Sequence, residues 1–474
     1  MDKIIKSQFT NDKLTHVIWR HSFPMFSAIL ALFAYDLLES SLVALSGAHS
    51  LASLGYTLPI TAAMTALSIG ISIKSNNQVV KHACLAPEKL ANIIINLIAS
   101  AAVAIFLFSL IAMFTGNSLL SMLGNNALSI VTDPWFEQDV VTQQNNYMAI
   151  RYVTWIFLML VWQGNAILRA LGQVRTASII MISWLAVKAL IAIILLTPES
   201  TWYQGGIIGL GYTHAISDSL FALISLLAIA SKIKPETSVI TKESFQLRIP
   251  SADTFIIMFQ QIITPLSMAV LTVIAAKMGN SYVAAFALIF RLEALLLLMP
   301  MVLTTSLPTI IGTNFWSGHH DRVKQAYIIV FAAITAFQLI LALTLCFNND
   351  FFATFICPQD GVINHIKDYL IWVPWGYFGA GCVIVYQSCL NAEGKALKAA
   401  TVAFTHRILL LLPLTLLGVV INEKSSFFQG IMLGHMLAGF YVFYLLMSKY
   451  NTNHHTYHQT QKQHQTLALN EEKE

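Results

Sequence analysis

Two carboxylates lie inside the first long apolar segment of the chain. Asp36 and Glu39 are the only Asp, Glu, Lys or Arg residues between positions 21 and 45. A spacing of three places both side chains on one side of a helix. Because a charged side chain at the centre of a bilayer costs about 2.5 to 3.5 kcal/mol, we expect the two carboxylates to have partners and a function.

Further ionisable residues lie in later apolar segments of the first half. Lys188 is near the middle of one segment, and His214 and Asp218 are four residues apart in the next, so they share a helix face. Burial together reduces the cost of each charge, which predicts that Asp36 or Glu39 pairs with Lys188 and that His214 pairs with Asp218. A change in pairing would let a carboxylate bind or release a proton, so we interpret the set as an ion-coupling site. Structural ion pairs that fix the helix order are the alternative.

A second group of polar residues predicts a substrate cavity between the helices. Gln387 and Asn391 are four apart and share a face, and Glu293 is the expected partner of Arg407. The predicted cavity residues are Asn165, Gln261, Gln387, Asn391 and Arg407.

The composition identifies the elements that must position these residues. The chain is 56% hydrophobic and only 11% charged, with a mean hydropathy of +0.67. A typical soluble domain has about 25% charged residues, so the sequence predicts an all-α integral membrane protein. Twelve apolar segments are long enough to span a bilayer. They lie near 21–45, 51–73, 90–115, 146–168, 177–197, 205–231, 254–276, 283–311, 325–347, 364–390, 399–421 and 426–448.

Lys and Arg are concentrated in alternate connections, which predicts cytoplasmic termini and a bacterial inner-membrane location. The longest basic connection, residues 232–253, divides the segments six and six. We therefore expect an N-terminal lobe of residues 1–231, a cytoplasmic linker of residues 232–253 and a C-terminal lobe of residues 254–449. The His- and Gln-rich residues 450–474 have the composition of a disordered tail rather than of a metal site.

The two halves contain a related segment. ILRALGQVRTA from Ile167 and CLNAEGKALKA from Cys389 share Leu, Ala, Gly and Ala at a constant offset, each after the fourth helix of its half. Because both halves begin on the same side, the repeats are parallel. The sequence thus predicts two six-helix lobes related by a pseudo-twofold axis along the membrane normal.

In this layout the chain resembles the multidrug and toxic compound extrusion (MATE) family. The resemblance rests on Leu38-Glu39-Ser40 followed by Gly47, on LRALGQVRTA, on GGIIGLGYTHAIS from Gly205 and on LPTIIGTNFWSGHHDRV from Leu307. It implies a secondary transporter that exports amphipathic organic compounds through a central cavity, driven by inward proton or sodium flow. Two departures stand out. Lys188 and Ala192 occupy positions where the proton-coupled branch is expected to have Asn and Asp, and residues 254–276 offer only Gln260 and Gln261 where the sodium-coupled branch has an acid.

Several other classes of function are excluded or left as alternatives. The basic residues form no patch for nucleic acid, and there is no GxxxxGK[ST], HExxH or GxSxG motif, so we expect no ATP-driven export, no enzyme activity, no cofactor and no metal. The mixed intramembrane charges favour a zwitterionic or anionic substrate, with protons as the coupling ion ahead of sodium and a monomer as the transporting unit. A flippase or exporter of a lipid-linked or secreted metabolite, such as a siderophore-like compound, is the alternative.

Overall fold

The fold is entirely helical in the described part of the chain. A computed structural model describes residues 9–45, 48–122, 140–197, 206–233, 251–356, 360–421 and 426–471. Six long helices form the N-terminal half. They are α1 (Leu14–Leu45), α2 (Ala48–Leu85), α3 (Leu90–Met122), α4 (Val140–Ala170), α5 (Val174–Leu196) and α6 (Gly206–Ala230).

The C-terminal half contains shorter helical pieces. They are α7 (Ala252–Met278), α8 (Asn280–Leu296), α9 (Leu298–Trp316), α10 (His320–Phe347), α11 (Asn349–Ile356), α12 (Asp360–Trp372), α13 (Tyr377–Ala392), α14 (Ala396–Phe404), α15 (Leu412–Ile421) and α16 (Ser426–Glu471). A 3₁₀ turn, Val373–Gly376, joins α12 to α13, and a π-helical segment, Thr405–Leu411, joins α14 to α15.

The predicted all-α membrane fold with two lobes is confirmed. Eleven described helical segments are long and apolar enough to cross a membrane, and α8 and α9 form a twelfth span that is bent by 50°. The sequence predicted one continuous span at 283–311, but the helix breaks at Leu297. Pro300 explains the position of the break, since its ring clashes with the carbonyl group four residues earlier, at Leu296.

The related segments of the two halves have the same backbone structure. Gly172 and Gly394 have φ angles of 80° and 79°, in the left-handed region that favours glycine. In the first turn Gln173 N–H donates to the Leu168 carbonyl at 2.9 Å, and in the second Lys395 N–H donates to the Leu390 carbonyl, also at 2.9 Å. Both helices therefore end in the same glycine-based C-cap, which supports the predicted repeat.

The two lobes contact each other at one end, which we call the basic end because the connections Arg169–Arg175 and Glu393–Lys398 lie there. Lys74 Nζ on α2 forms an ion pair with Asp253 Oδ2 on α7 at 2.9 Å. On the same helices, a Cβ atom at Gly70 would lie 2.8 Å from the Met258 Cα, so these backbones are in direct contact. Further toward the end of α2, the Lys81 Nζ lies 4.6 Å from the centre of the Trp316 ring on α9.

The last helix extends beyond the membrane-spanning segment. α16 continues to Glu471, so the structure places most of the segment predicted as a disordered tail in a helix. Most of the predicted linker, residues 234–250, lies outside the described residues.

Candidate ion-coupling site

The centre of the polar network in the N-terminal lobe is Asp218. Its side chain is 0% exposed, and α6 holds it against α4 and α5. The Trp184 indole N–H donates to Asp218 Oδ1 at 3.0 Å. Two cations flank the same carboxylate, since Lys188 Nζ lies 3.8 Å from Oδ1 and Arg151 Nη1 lies 3.7 Å from Oδ2. Asp218 is therefore a shared partner of two buried cations, which offsets part of their desolvation.

Aromatic rings hold the Lys188 ammonium from two sides. Its Nζ lies 4.8 Å from the ring centre of Trp184 and 5.0 Å from that of Tyr35. Each π face attracts the ammonium, and this attraction is stronger where water is excluded. Lys188 is only 4% exposed, so it does not extend to the membrane surface.

Glu39 and His214 form the second couple. His214 Nε2 lies 3.4 Å from Glu39 Oε2, and this contact joins α6 to α1. His214 Nδ1 is buried without a hydrogen-bond partner among the described residues. The imidazole is charged only when it binds a proton, so the strength of this contact depends on one protonation event.

The structure corrects the predicted pairing. Lys188 pairs with Asp218 and not with Asp36 or Glu39, and His214 pairs with Glu39 and not with Asp218. Asp36 is exposed and forms no ion pair with a described residue. The five predicted residues still gather in one region of the N-terminal lobe, because α1 packs against α5 and α5 against α6.

The charges of this network do not cancel. The set contains three carboxylates, Asp36, Glu39 and Asp218, and two basic side chains, Lys188 and Arg151, so it has one net negative charge when these five groups are ionised and His214 is neutral. The carboxylate that forms no ion pair with a described residue is Asp36, which is exposed. Binding one proton neutralises the set.

Sequence reasoning missed Arg151 and Trp184. Arg151 lies within the apolar segment predicted at 146–168, so the rule that flagged Lys188 would also have flagged it. Trp184 had no comparable signal, because tryptophan is common in apolar segments and its role depends on the position of Asp218 across the helix interface.

Asn165 does not belong to the network or to a cavity wall. Its Nδ2 donates to the Ala177 carbonyl at 2.7 Å, and its Oδ1 accepts a hydrogen bond from Arg169 Nη1. These bonds tie α4 to the start of α5. The side chain therefore stabilises the turn between the two helices, in contrast to the predicted cavity position.

Amide side chains of the C-terminal lobe form a polar group between α7 and α13. Asn391 Nδ2 donates to Gln260 Oε1 at 3.1 Å, and Gln260 Nε2 donates to Gln387 Oε1 at 3.4 Å. Gln387 and Asn391 are thus neighbours, as their spacing predicts. Their shared partner is Gln260, whereas the sequence-based prediction placed Gln261 in the cavity.

Arg407 is a buried cation of the C-terminal lobe. It is 5% exposed, its Nη1 has no hydrogen-bond partner, and it forms no ion pair with a described residue. Glu293, its expected partner, is close enough to act on it electrostatically but lies outside ion-pair distance. Next to Arg407, His406 Nε2 lies 2.9 Å from His435 Nδ1 of α16. The arginine lies in the π-helical segment, a backbone form that is frequent at functional sites.

Comparisons with known proteins support the resemblance to the MATE family. The MatE family model matches residues 257–417. A FAD transporter of Shewanella oneidensis is 25% identical over 447 residues, which cover 90% of this chain and 93% of that protein. The resemblance to the MATE family is therefore confirmed.

The fold agrees with solved structures of MATE transporters. A mutant of the Vibrio cholerae MATE transporter VcmN has a TM-score of 0.83 at 20% identity and covers 95% of this chain and 99% of its own. An outward-facing multidrug resistance MATE transporter of the MOP superfamily has a TM-score of 0.81 at 16% identity, covering 94% and 98%. The relatives found are transporters and not enzymes, which agrees with the prediction that the chain has no enzyme activity.

Proposed function

We propose that this protein is an antiporter that exports amphipathic organic anions in exchange for inward-moving protons. It works by alternating access as a monomer in a bacterial inner membrane, with both termini in the cytoplasm. The observation that carries the proposal is the N-terminal network centred on Asp218, which contains three carboxylates and two basic side chains, Lys188 and Arg151.

The charge balance of the network supports proton coupling. One bound proton neutralises the set, and Asp36 is exposed, which gives a proton a route to the buried carboxylates. Glu39 then connects this entry point to His214. A sodium ion would need several oxygen ligands around it. Among the residues that the structure describes, no group of three or more His, Cys, Asp or Glu side chains is placed to hold a metal ion.

The polar groups of the C-terminal lobe support an anionic substrate. Arg407 is buried without an ion pair, and Arg291 on α8 is exposed and forms no ion pair with a described residue. An unpaired guanidinium in a membrane protein favours a substrate that carries a carboxylate or phosphate. The relative from Shewanella is a FAD transporter, and FAD is an amphipathic molecule with a pyrophosphate group. Flavin nucleotides are thus the first substrates to test.

The contact between the lobes fits one state of the transport cycle. The lobes contact each other at the basic end, which the positive-inside rule assigns to the cytoplasm. In that orientation the cavity would open to the outside. Proton binding to the network and substrate release would then precede the return to the inward-facing state.

Purified protein in liposomes tests the proposal. Vesicles loaded with FAD, a siderophore-like carboxylate or a lipophilic cation are given a pH gradient, a sodium gradient or none, and efflux is recorded. We expect FAD transport that depends on the pH gradient and is accompanied by proton movement. Transport driven by sodium alone, or transport of the cation but not of FAD, would contradict the proposal.

A matched set of variants separates the coupling site from the substrate site. Asp218→Asn should abolish gradient-driven transport while substrate binding is retained, whereas Arg407→Gln should weaken substrate binding. Lys89→Gln is the control, because Lys89 is exposed at the basic end and lies outside both polar groups.

A further inference from the structure

A groove at the basic end of the N-terminal lobe is separate from the polar network. It has a volume of about 620 Å³ and is lined by His16, Trp19, Arg20, Phe23, Pro24 and Arg175. Four of these residues, at positions 16, 19, 20 and 23 of α1, have the spacing of a single helix face. Arg175 is the second residue of α5, which packs against α1. The groove thus lies where the ends of two membrane-spanning helices meet the bilayer surface.

The apolar wall of the groove faces outward. Trp19 is 68% exposed and Phe23 is 61% exposed, and the centres of their rings are 5.6 Å apart. On a helix that is long and apolar enough to span a membrane, exposed rings of this size would face lipid. Tryptophan is enriched where the hydrocarbon meets the headgroups, which places this wall at the depth of the upper acyl chains.

The basic wall has no counter-charge among the residues that the structure describes. Arg20 and Arg175 are both exposed, and neither forms a hydrogen bond or an ion pair with a described residue. Some other cations at this end do have partners, as Lys74 does in Asp253 and Lys449 does in Glu393. Two exposed guanidinium groups beside exposed aromatic rings are suited to an anion that also has an apolar part.

We propose that this groove binds an anionic phospholipid, with the phosphate of the headgroup between Arg20 and Arg175 and one acyl chain along Trp19 and Phe23. A guanidinium group has the fork geometry that binds phosphate oxygens in pairs, and basic pockets between helix ends on the cytoplasmic side are suited to anionic headgroups. The bound lipid would join the ends of α1 and α5, the helices that carry Asp36, Glu39 and Lys188.

Native mass spectrometry of the full-length protein in detergent tests this site. The protein is incubated with equal amounts of phosphatidylglycerol and phosphatidylcholine, and the retained lipids are counted. We expect a preference for phosphatidylglycerol that falls by about fivefold for each arginine removed, since a basic residue near an anionic surface contributes about 1 kcal/mol. The double variant R20Q/R175Q should lose the preference, and R20K/R175K should keep most of it.

The control variant K89Q/K398Q removes the same number of charges from exposed positions at the same end, and it should retain the wild-type preference. An unchanged preference in R20Q/R175Q, or an equal loss in the control, overturns the proposal. Displacement of the lipid by excess inorganic phosphate also overturns it, because the groove would then be a site for a soluble anion. If the double variant does not fold, the single variants R20Q and R175Q give the same test.

Discussion

Lys188 Nζ lies 3.8 Å from Asp218 Oδ1, and Arg151 Nη1 approaches the other oxygen of the same carboxylate at 3.7 Å. One buried anion therefore compensates two buried cations that come from different helices. Removal of the anion and removal of one cation should therefore change the stability of the protein by different amounts.

The Asp218→Asn variant should be less stable than Lys188→Met. The first change leaves two buried cations without a carboxylate, at a cost of about 3 to 5 kcal/mol, whereas after the second Arg151 still compensates Asp218. The double variant Asp218→Asn with Lys188→Met should recover part of the stability. Thermal unfolding of the purified variants in detergent, followed by intrinsic fluorescence, ranks the variants by stability. A Lys188→Met protein that unfolds at a lower temperature than Asp218→Asn would contradict the shared-anion arrangement.

Asp36→Asn should leave stability unchanged and impair transport. Asp36 is exposed and has no ion pair with a described residue, so the structure assigns it no stabilising contact. As the accessible member of the network it would pass protons to Glu39, and its loss should reduce the dependence of transport on the pH gradient. The measurement is proton uptake during substrate efflux. Asp253→Asn is not a suitable control, because Asp253 forms an ion pair with Lys74. Glu88→Gln, at an exposed position outside the network, is the suitable comparison.

The membrane spans and the residues of the network could be predicted from the sequence, but the pairs could not. Apolar length and intramembrane charge are local properties, so they identify Lys188, His214 and Asp218 directly. The spacing of four on α6 places His214 and Asp218 on one face, yet it does not say which helix each one faces. The structure shows that one turn separates two different neighbours, since His214 meets α1 while Asp218 meets α4 and α5.

The irregular segments of the C-terminal lobe also could not be predicted from the sequence, although the residues that cause them are visible in it. Prolines are visible in the sequence, but only some of them break a helix: α7 continues through Pro265, whereas the helix ends before Pro300. The π-helical segment Thr405–Leu411 precedes Pro413. A proline can be accommodated by a bend, a break or a wider turn, and the packing of neighbouring helices decides among these outcomes.

Gly70→Val should weaken closure at the basic end. A Cβ atom at Gly70 would lie 2.8 Å from the Met258 Cα, and backbone cannot move aside as a side chain can, so the larger residue pushes α2 from α7. Gly55→Val is the matched control, because no atom lies within 4 Å of a Cβ at this position of the same helix. The readout is cross-linking of a Lys74→Cys and Asp253→Cys pair by a short thiol reagent in a background without native cysteines. We expect less cross-linking with Gly70→Val and normal cross-linking with Gly55→Val; equal yields in both would contradict the close contact.

Glu393 should make the stability of the C-terminal lobe depend on pH. Its carboxylate is fully buried at the basic end and is bound by Lys449 Nζ at 2.8 Å, Lys395 Nζ at 2.6 Å and the Tyr327 hydroxyl at 2.9 Å. Burial alone would raise the pKa of this carboxyl, but the two lysines hold the pKa below its ordinary value. A lowered pKa means that the folded state binds this proton less readily than the unfolded state, so the stabilisation is complete above the unfolded pKa of about 4.3 and is lost as the pH falls through the folded pKa.

The variant Glu393→Gln should therefore unfold more easily than the wild type at pH 6 to 8, by about 2 kcal/mol, because hydrogen bonds to a charged group contribute about 1.5 to 3 kcal/mol and the lysines are partly exposed to solvent. The difference between the two proteins should be constant over that range and shrink once the pH falls below the unfolded pKa of about 4.3, because the unfolded wild-type chain then binds a proton more readily than the folded protein does. Glu88→Gln removes an exposed carboxylate at the same end and should change neither the stability nor its pH dependence. Denaturant unfolding in detergent at a series of pH values measures both effects. A stability difference that grows on acidification would show that Glu393 is not held ionised by Lys395 and Lys449.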